Sequence, residues 1–214
     1  MKAATGTPRE GTLEERVYRR AAGFVALARA AAECFGGTHM PDLDPAALRN
    51  VVRDLRRVVR SIKGSYVVII GGLAVQELGY ERYTKDVDAV VDSDHYGQVL
   101  AKLREGGYEL TPQFLLKHRL TGAKLDLLRE GTRMKDSREP LPHPRELGPN
   151  LGFATLPGVI RLKMEAHRRQ DLADVVGLLK ARPQDPAALA GQLPEHLRKE
   201  FLMLAEEARR EAAT

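Results

Sequence analysis

Residues 66–70 read Tyr-Val-Val-Ile-Ile, a β-branched run with no charged position, and Gly71-Gly72 follows at once. Strand side chains alternate between two faces, so a run without polar alternation is a strand buried on both. Such a strand needs a sheet with cover on each side, which points to an α/β or α+β domain. The 214 residues suit one domain, or one domain with an appended helical layer, and hold a core that needs no staple. With 43% hydrophobic and 29% charged residues, disordered and fibrous classes are excluded. One cysteine, Cys34, cannot close an internal disulfide and suits a reducing compartment. The longest apolar-plus-glycine run, Val67 to Val75, falls far short of the roughly 20 residues of a membrane span. No apolar segment follows the basic start, so no signal peptide is expected. A soluble cytoplasmic protein without a membrane partner is the expectation.

Around this strand the periodicity divides the chain. Residues 1–12, with Gly6, Pro8 and Gly11, read as a flexible tail. Leu13, Val17, Ala21, Phe24, Ala28, Ala31 and Phe35 recur at steps of three and four, a helical stripe stopped by Gly36-Gly37. Asp44 with Pro45 signals a second helix whose stripe is Leu48, Val51, Leu55, Val58 and Ile62. These two make an N-terminal helical pair over 13–64. The second helix is strongly basic, with Arg49, Arg53, Arg56, Arg57, Arg60 and Lys63. That stripe is either a solvated face or a guide for a nucleic-acid backbone, and the net charge of +5 with pI near 9.4 is compatible with both.

A core over 65–150 is expected to continue with a helix over Leu73 to Leu78 and a strand over Lys85 to Val91. A helix capped by Ser93 or Asp94 follows, with Tyr96, Val99, Leu100 and Leu103 inward. Two strands near Phe114 to Arg119 and Lys124 to Leu128 are joined at Thr121-Gly122, and 131–150 reads as a loop. Helices near Leu156 to His167, Asp171 to Ala181 and Pro194 to Ala212 form a C-terminal helical region over 151–214, expected to complete whatever site the core carries.

Asp86 and Asp88 stand two apart on a predicted strand, so both carboxylates face one side. Two such charges repel unless a cation lies between them, and Mg²⁺ takes one or two carboxylates with waters and substrate phosphates. Exposed alternate positions on a strand also carry Asp without any metal. Asp126 lies in the apolar stretch Ala-Lys-Leu-Asp-Leu-Leu, where a lone acid is costly to bury, and a third carboxylate suits a two-metal phosphoryl-transfer centre. Gly71-Gly72 joins strand to helix without side chains, which lets backbone N–H groups approach a phosphate, although any tight turn uses the same pair.

The order strand, Gly-Gly, short helix, Asp-x-Asp, then a later Asp resembles the nucleotidyltransferase superfamily with the polymerase-β-like fold. Within it, Ile70-Gly-Gly-Leu-Ala-Val-Gln-Glu-Leu-Gly-Tyr-Glu-Arg-Tyr-Thr-Lys-Asp-Val-Asp88 looks like the first two motifs of AbiEii-type toxin nucleotidyltransferases of type IV toxin–antitoxin systems. Its ending carries Arg82 and Thr84 before the acids. A second block, Leu162-Lys-Met-Glu-Ala-His-Arg-Arg-Gln-Asp-Leu-Ala-Asp174, looks like their downstream Lys…Arg-x-x-Asp-x-x-Asp motif. The matches span about residues 65 to 181; the N-terminal helical pair has no counterpart in the pattern, and the chain is short for these toxins.

Residue chemistry agrees with the second block. Lys163 and His167 stand at i and i+4 on one predicted helix face and could turn to one cleft, and a Lys there neutralises triphosphate charge. Arg168 either contacts phosphate or pairs with Asp171, and Asp171 either caps the next helix or belongs to the site. His167 and Asp174 read as support. The resemblance implies a mixed sheet flanked by helices and Mg²⁺- or Mn²⁺-dependent transfer of a nucleoside monophosphate from an NTP to an acceptor hydroxyl. Asp86, Asp88 and Asp126 would hold metal; Gly71, Gly72, Arg82, Thr84, Lys163, Arg168 and Asp171 would hold the nucleotide. It also implies an RNA acceptor, such as a tRNA 3′ end, and an antitoxin partner. Two alternatives stand beside it: a small-molecule (aminoglycoside-type) nucleotidyltransferase, and a non-catalytic nucleotide- or partner-binding member of the same fold.

Overall fold

Val67–Ile70 forms β1, a strand buried along its whole length, as its unbroken apolar run requires. The computed structural model describes residues 11–35, 45–82, 84–134 and 137–213, and in the first helix it leaves out the side chains of residues 24 and 27–35. The expected Gly36-Gly37 stop, the Asp44 cap and all but the end of the tail at 1–12 lie outside the described residues. Before β1 come α1 (Leu13–Phe35) and α2 (Pro45–Arg60). After it come α3 (Gly71–Glu77), β2 (Asp86–Val91), α4 (Tyr96–Glu105), β3 (Tyr108–Leu110), β4 (Leu116–His118) and β5 (Lys124–Arg129). The chain closes with α5 (Pro144–Leu147), β6 (Gly152–Phe153), α6 (Leu156–Ala166), α7 (Arg169–Ala181), α8 (Pro186–Ala190) and α9 (Glu195–Ala212).

The six strands form one mixed sheet in the order β3-β4-β5-β2-β1-β6. β1 runs antiparallel to β2 and parallel to β6, β2 runs parallel to β5, and β4 runs antiparallel to both β3 and β5. The architecture is therefore mixed α/β, a mixed sheet flanked by helices. α2 packs on β2, β5 and α4, and α1 lies on α2 and α3. α3 packs on β1, β2 and β6 and meets α6, which carries α5, α7 and α9. On β2 the residues between the two acids and beyond them, Val87, Ala89 and Val91, have no exposed surface, and they anchor the strand in the core. The α2 stripe Leu48, Val51, Leu55 and Val58 is buried as its period requires, so the N-terminal pair shares the core of the sheet.

Several boundaries differ from the sequence reading. α3 begins at Gly71 rather than Leu73. Neither Ser93 nor Asp94 caps α4: His95 holds the N-cap position, and its N–H donates to Asp92 Oδ1 at 3.0 Å. The strand expected from Phe114 begins at Leu116, because Phe114 sits at φ 62° inside a turn. Between β4 and β5 the turn is longer than Thr121-Gly122, with Gly122 at φ 70° and its N–H donated to the His118 carbonyl. The loop at 131–150 contains α5, opened by a capping box in which His143 takes the Arg145 N–H and Glu146 takes the His143 N–H. Strands β3 and β6 and helix α8 were not expected.

Candidate active site

The parallel pairing of β2 with β5 sets Asp88 directly opposite Asp126. Asp86, two residues before Asp88, lies on the same side of the sheet, so three carboxylates share one patch. The end of β1 approaches this patch so closely that only glycine fits. Gly71 has φ +64°, and a Cβ on it would stand 1.8 Å from Asp88 Oδ2. A Cβ on Gly72 would stand 2.6 Å from Thr84 Cβ. The Thr84 hydroxyl in turn donates to the Asp86 carbonyl at 3.2 Å, fixing the entry to β2.

Burying acids side by side disfavours their charged forms. Burial, followed by the charges of Asp126 and Asp86, pushes the Asp88 carboxyl up to about 7, against the pull of Lys163 and Arg82. Burial and the Asp86 charge likewise raise Asp126. Asp86 Oδ1 is buried without a hydrogen-bond partner among the described residues. An orphaned carboxylate oxygen beside two acids that resist ionisation is the donor set a hard divalent cation satisfies, so Mg²⁺ or Mn²⁺ fits these residues.

Facing the acids is a wall of cations held by buried carboxylates. Lys163 is almost fully buried on α6, and its Nζ lies 2.7 Å from Asp171 Oδ1 and 2.8 Å from Asp174 Oδ2. Asp174 has no exposed surface; it also takes Arg82 Nη1 and, at 3.0 Å, Gln170 Nε2. Arg168 Nε donates to Asp171 Oδ2 at 2.6 Å. Burial alone would raise Asp171, but the Arg168 and Lys163 hydrogen bonds outweigh it and hold its pKa below the usual carboxylate value. Two sequence expectations are corrected here. Asp171 does not cap α7, since the N-cap position is Arg168 and the Asp171 carboxylate is taken by side chains. His167 does not share the cleft with Lys163: it ends α6 at φ 52° and pairs on the surface with Glu200 at 3.4 Å.

All ten residues singled out from the sequence, Gly71, Gly72, Arg82, Thr84, Asp86, Asp88, Asp126, Lys163, Arg168 and Asp171, line a single cleft of about 1080 Å³. Lys85, Gln113, Phe114, Leu128 and Met134 line it too and were not expected. Asp174 supports the site as the common anchor of Lys163 and Arg82. The basic helix contributes no lining residue. Part of its charge is spent locally: Arg56 grips both oxygens of Glu14 at 2.7 Å, and Arg49 stacks over Tyr18 at 4.8 Å.

A second cluster could also hold a cation. Ligand atoms of Glu139, Glu165 and His196 all lie within 4.8 Å of one another, closer than the cleft acids as a trio. These groups satisfy one another, however. His196 Nε2 lies 2.6 Å from Glu165 Oε1, while Glu165 Oε2 takes the Ser137 hydroxyl and the Arg138 and Glu139 N–H groups. The cluster ties α9 to α6 and the loop before α5.

No family model matches the chain, and no curated protein matches it. Among solved structures, that described as the crystal structure of ANT(2'')-Ia in complex with adenylyl-2''-tobramycin aligns with 76% of this chain and 97% of its own. Identity is 13% and the TM-score 0.39, a likeness too distant to bear on function. Among the described residues no helix is long and apolar enough to cross a membrane.

Proposed function

We propose that the chain is a divalent-cation-dependent nucleotidyltransferase, moving a nucleoside monophosphate from an NTP to an acceptor hydroxyl. The observation that carries this reading is the convergence of Asp86, Asp88 and Asp126, with an unsatisfied oxygen among them, on one cleft with Gly71-Gly72 and the Lys163 group. In the reaction the acceptor oxygen bonds to the α-phosphorus, the α–β phosphoanhydride breaks, and pyrophosphate leaves. Asp86, Asp88 and Asp126 would hold Mg²⁺ or Mn²⁺, which would supply positive charge against the triphosphate. Asp126, whose carboxyl is the kind raised by burial, takes the proton of the acceptor hydroxyl. Gly71 and Gly72 leave backbone room for the β- and γ-phosphates, with Thr84 bracing that turn. Lys163 steadies the phosphates; two of its three N–H groups are taken by Asp171 and Asp174, so its charge is fixed in place. Arg82 and Arg168 add charge, and Asp171 acts by orienting Lys163 and Arg168.

For the acceptor we propose RNA, such as a tRNA 3′ end, in a toxin-like activity with a cognate antitoxin as partner. The motif resemblance supports this, as do the exposed Arg53, Arg57, Arg60 and Lys63 on and after α2. A small cationic acceptor of the aminoglycoside type is the second reading, favoured by one observation: the basic helix gives the cleft nothing, whereas four carboxylates, Asp86, Asp88, Asp126 and Asp171, line it. Incubation with each α-labelled NTP, Mg²⁺ and either total RNA or an aminoglycoside panel separates them. Label in a discrete RNA band, lost in Asp86→Ala/Asp88→Ala, supports the first reading, and label on the small molecule supports the second. NTP binding with no transfer to either would contradict both and favour a binding module.

A further inference from the structure

The β3–β4 turn carries the one large apolar side chain of the cleft that is mostly bare. Phe114 is 78% exposed, and its backbone sits at φ 62°, a conformation that a bulky L-residue rarely adopts. The turn holds it there. The Phe114 N–H donates to the Thr111 carbonyl at 2.9 Å, the Thr111 N–H to the Leu115 carbonyl at 2.8 Å, and the Leu115 N–H to the Thr111 hydroxyl at 3.2 Å. Two residues on, Leu116 is 1% exposed and opposite Leu125, one residue before Asp126. The turn is therefore anchored to the core at Leu116 while the ring is left uncovered, and Phe114 lines the cleft with Gln113. Nothing in the packing requires it: a glycine would suit the backbone, and a polar side chain would suit the solvent. A strained, exposed aromatic residue in a cleft is a feature that function explains better than folding does.

Position in the sheet says which part of a ligand it meets. β4 adjoins β5 on the side away from β1, so across the cleft run Gly71-Gly72, then Asp88, then Asp126, then Phe114. Lys163 belongs to the first side, since α6 packs on α3. With the α-phosphorus over the acids and the β- and γ-phosphates toward Gly71-Gly72, the nucleoside points the other way, toward the β3–β4 turn. There the flat apolar face of Phe114 offers a stacking surface, which any nucleobase fits because every base has a π-face.

We propose that Phe114 is the stacking platform for the base of the bound nucleoside triphosphate, an inference that rests on the nucleotidyltransferase reading. Calorimetric titration of the full chain, with Mg²⁺ and without acceptor, tests it using ATP, GTP, CTP, UTP and inorganic tripolyphosphate as probes. Phe114→Ala is expected to weaken the NTPs that bind by about tenfold, within the range known for loss of one base stack, and to leave tripolyphosphate unchanged. Phe114→Trp restores the NTP affinity. Phe114→Gly, which relieves the backbone as it removes the ring, loses the same affinity with Tm unchanged or raised. If the wild type binds NTPs and Phe114→Ala binds them equally well, the proposal fails while the nucleotidyltransferase reading stands. Equal loss of tripolyphosphate, or loss of Tm together with binding in Phe114→Gly, would make the ring a structural part of the hairpin and also overturn it. A wild type that binds neither NTP nor tripolyphosphate overturns both.

Discussion

Asp88 is packed against Gly71 and faces Asp86 and Asp126, and burial first, then the two neighbouring charges, holds its carboxyl well above the usual carboxylate range. Its carboxyl titrates at about 7 in the folded chain against 3.8 ordinarily. Between those values the folded chain holds a proton that the unfolded chain has released, so stability is lost as pH rises through this window. Thermal unfolding of the cation-free protein should therefore show Tm falling from about pH 4 to about pH 7, with Asp88→Asn flattening the slope and Mg²⁺ restoring Tm at the upper end. Asp174 makes a second prediction at this scale. Its replacement by Ala leaves Lys163 with Asp171 alone and removes the buried carboxylate that Arg82 and Gln170 share, which should cost about 1.5–3 kcal/mol in denaturant unfolding, the range for a lost hydrogen bond to a charged group. The Asp-x-Asp pair was legible in the sequence because strand geometry alone puts both on one face. The anchoring role of Asp174 was legible only as support, since its partner Arg82 lies 92 residues away and no local spacing links them.

Among the elements, α7 shows how a helix can be built around a neighbour. Gly177 lies inside it, where alanine ordinarily gains up to about 1 kcal/mol. Here a Cβ would stand 2.4 Å from Cζ of the Tyr80 ring, so Gly177→Ala should instead destabilise by about 1–3 kcal/mol, the cost of overpacking, read as a lower denaturation midpoint. α2 has two faces that do different work: its apolar stripe is buried, while Arg53, Arg57 and Arg60 are exposed and Arg56 is occupied by Glu14. On the RNA reading, replacing the three exposed arginines with Gln should weaken RNA binding and flatten its logarithmic salt slope by about 2, at about 0.7 per single-strand phosphate contact. Gel-shift titrations at several salt concentrations check this, and an unchanged slope would exclude this face. Long periodic elements such as α2 and β1 were readable from the sequence. β3 and β6, of three and two residues, are too short to show a period and exist because neighbouring strands supply their partners. α5 escaped notice because His143 rather than Ser, Thr, Asp or Asn opens its capping box.

For the molecule as a whole, the sheet order does what no single motif could. β2 and β5 are neighbours although 32 residues, 92–123, lie between the end of one and the start of the other, and their parallel register brings Asp126 to Asp88. The order of motifs in the chain foretold a shared cleft; the face that Phe114 adds to it was hidden, because only a folded turn shows an apolar residue held in the open. Among the described residues two sets of side chains could take a cation, the cleft aspartates and the Glu139–Glu165–His196 cluster, and the proposed reaction needs the first. Titration of Mn²⁺ followed by electron paramagnetic resonance separates them directly. Binding lost in Asp86→Asn/Asp88→Asn and kept in Glu139→Gln/His196→Ala is the predicted result, whereas binding kept in the first variant and lost in the second would contradict the account.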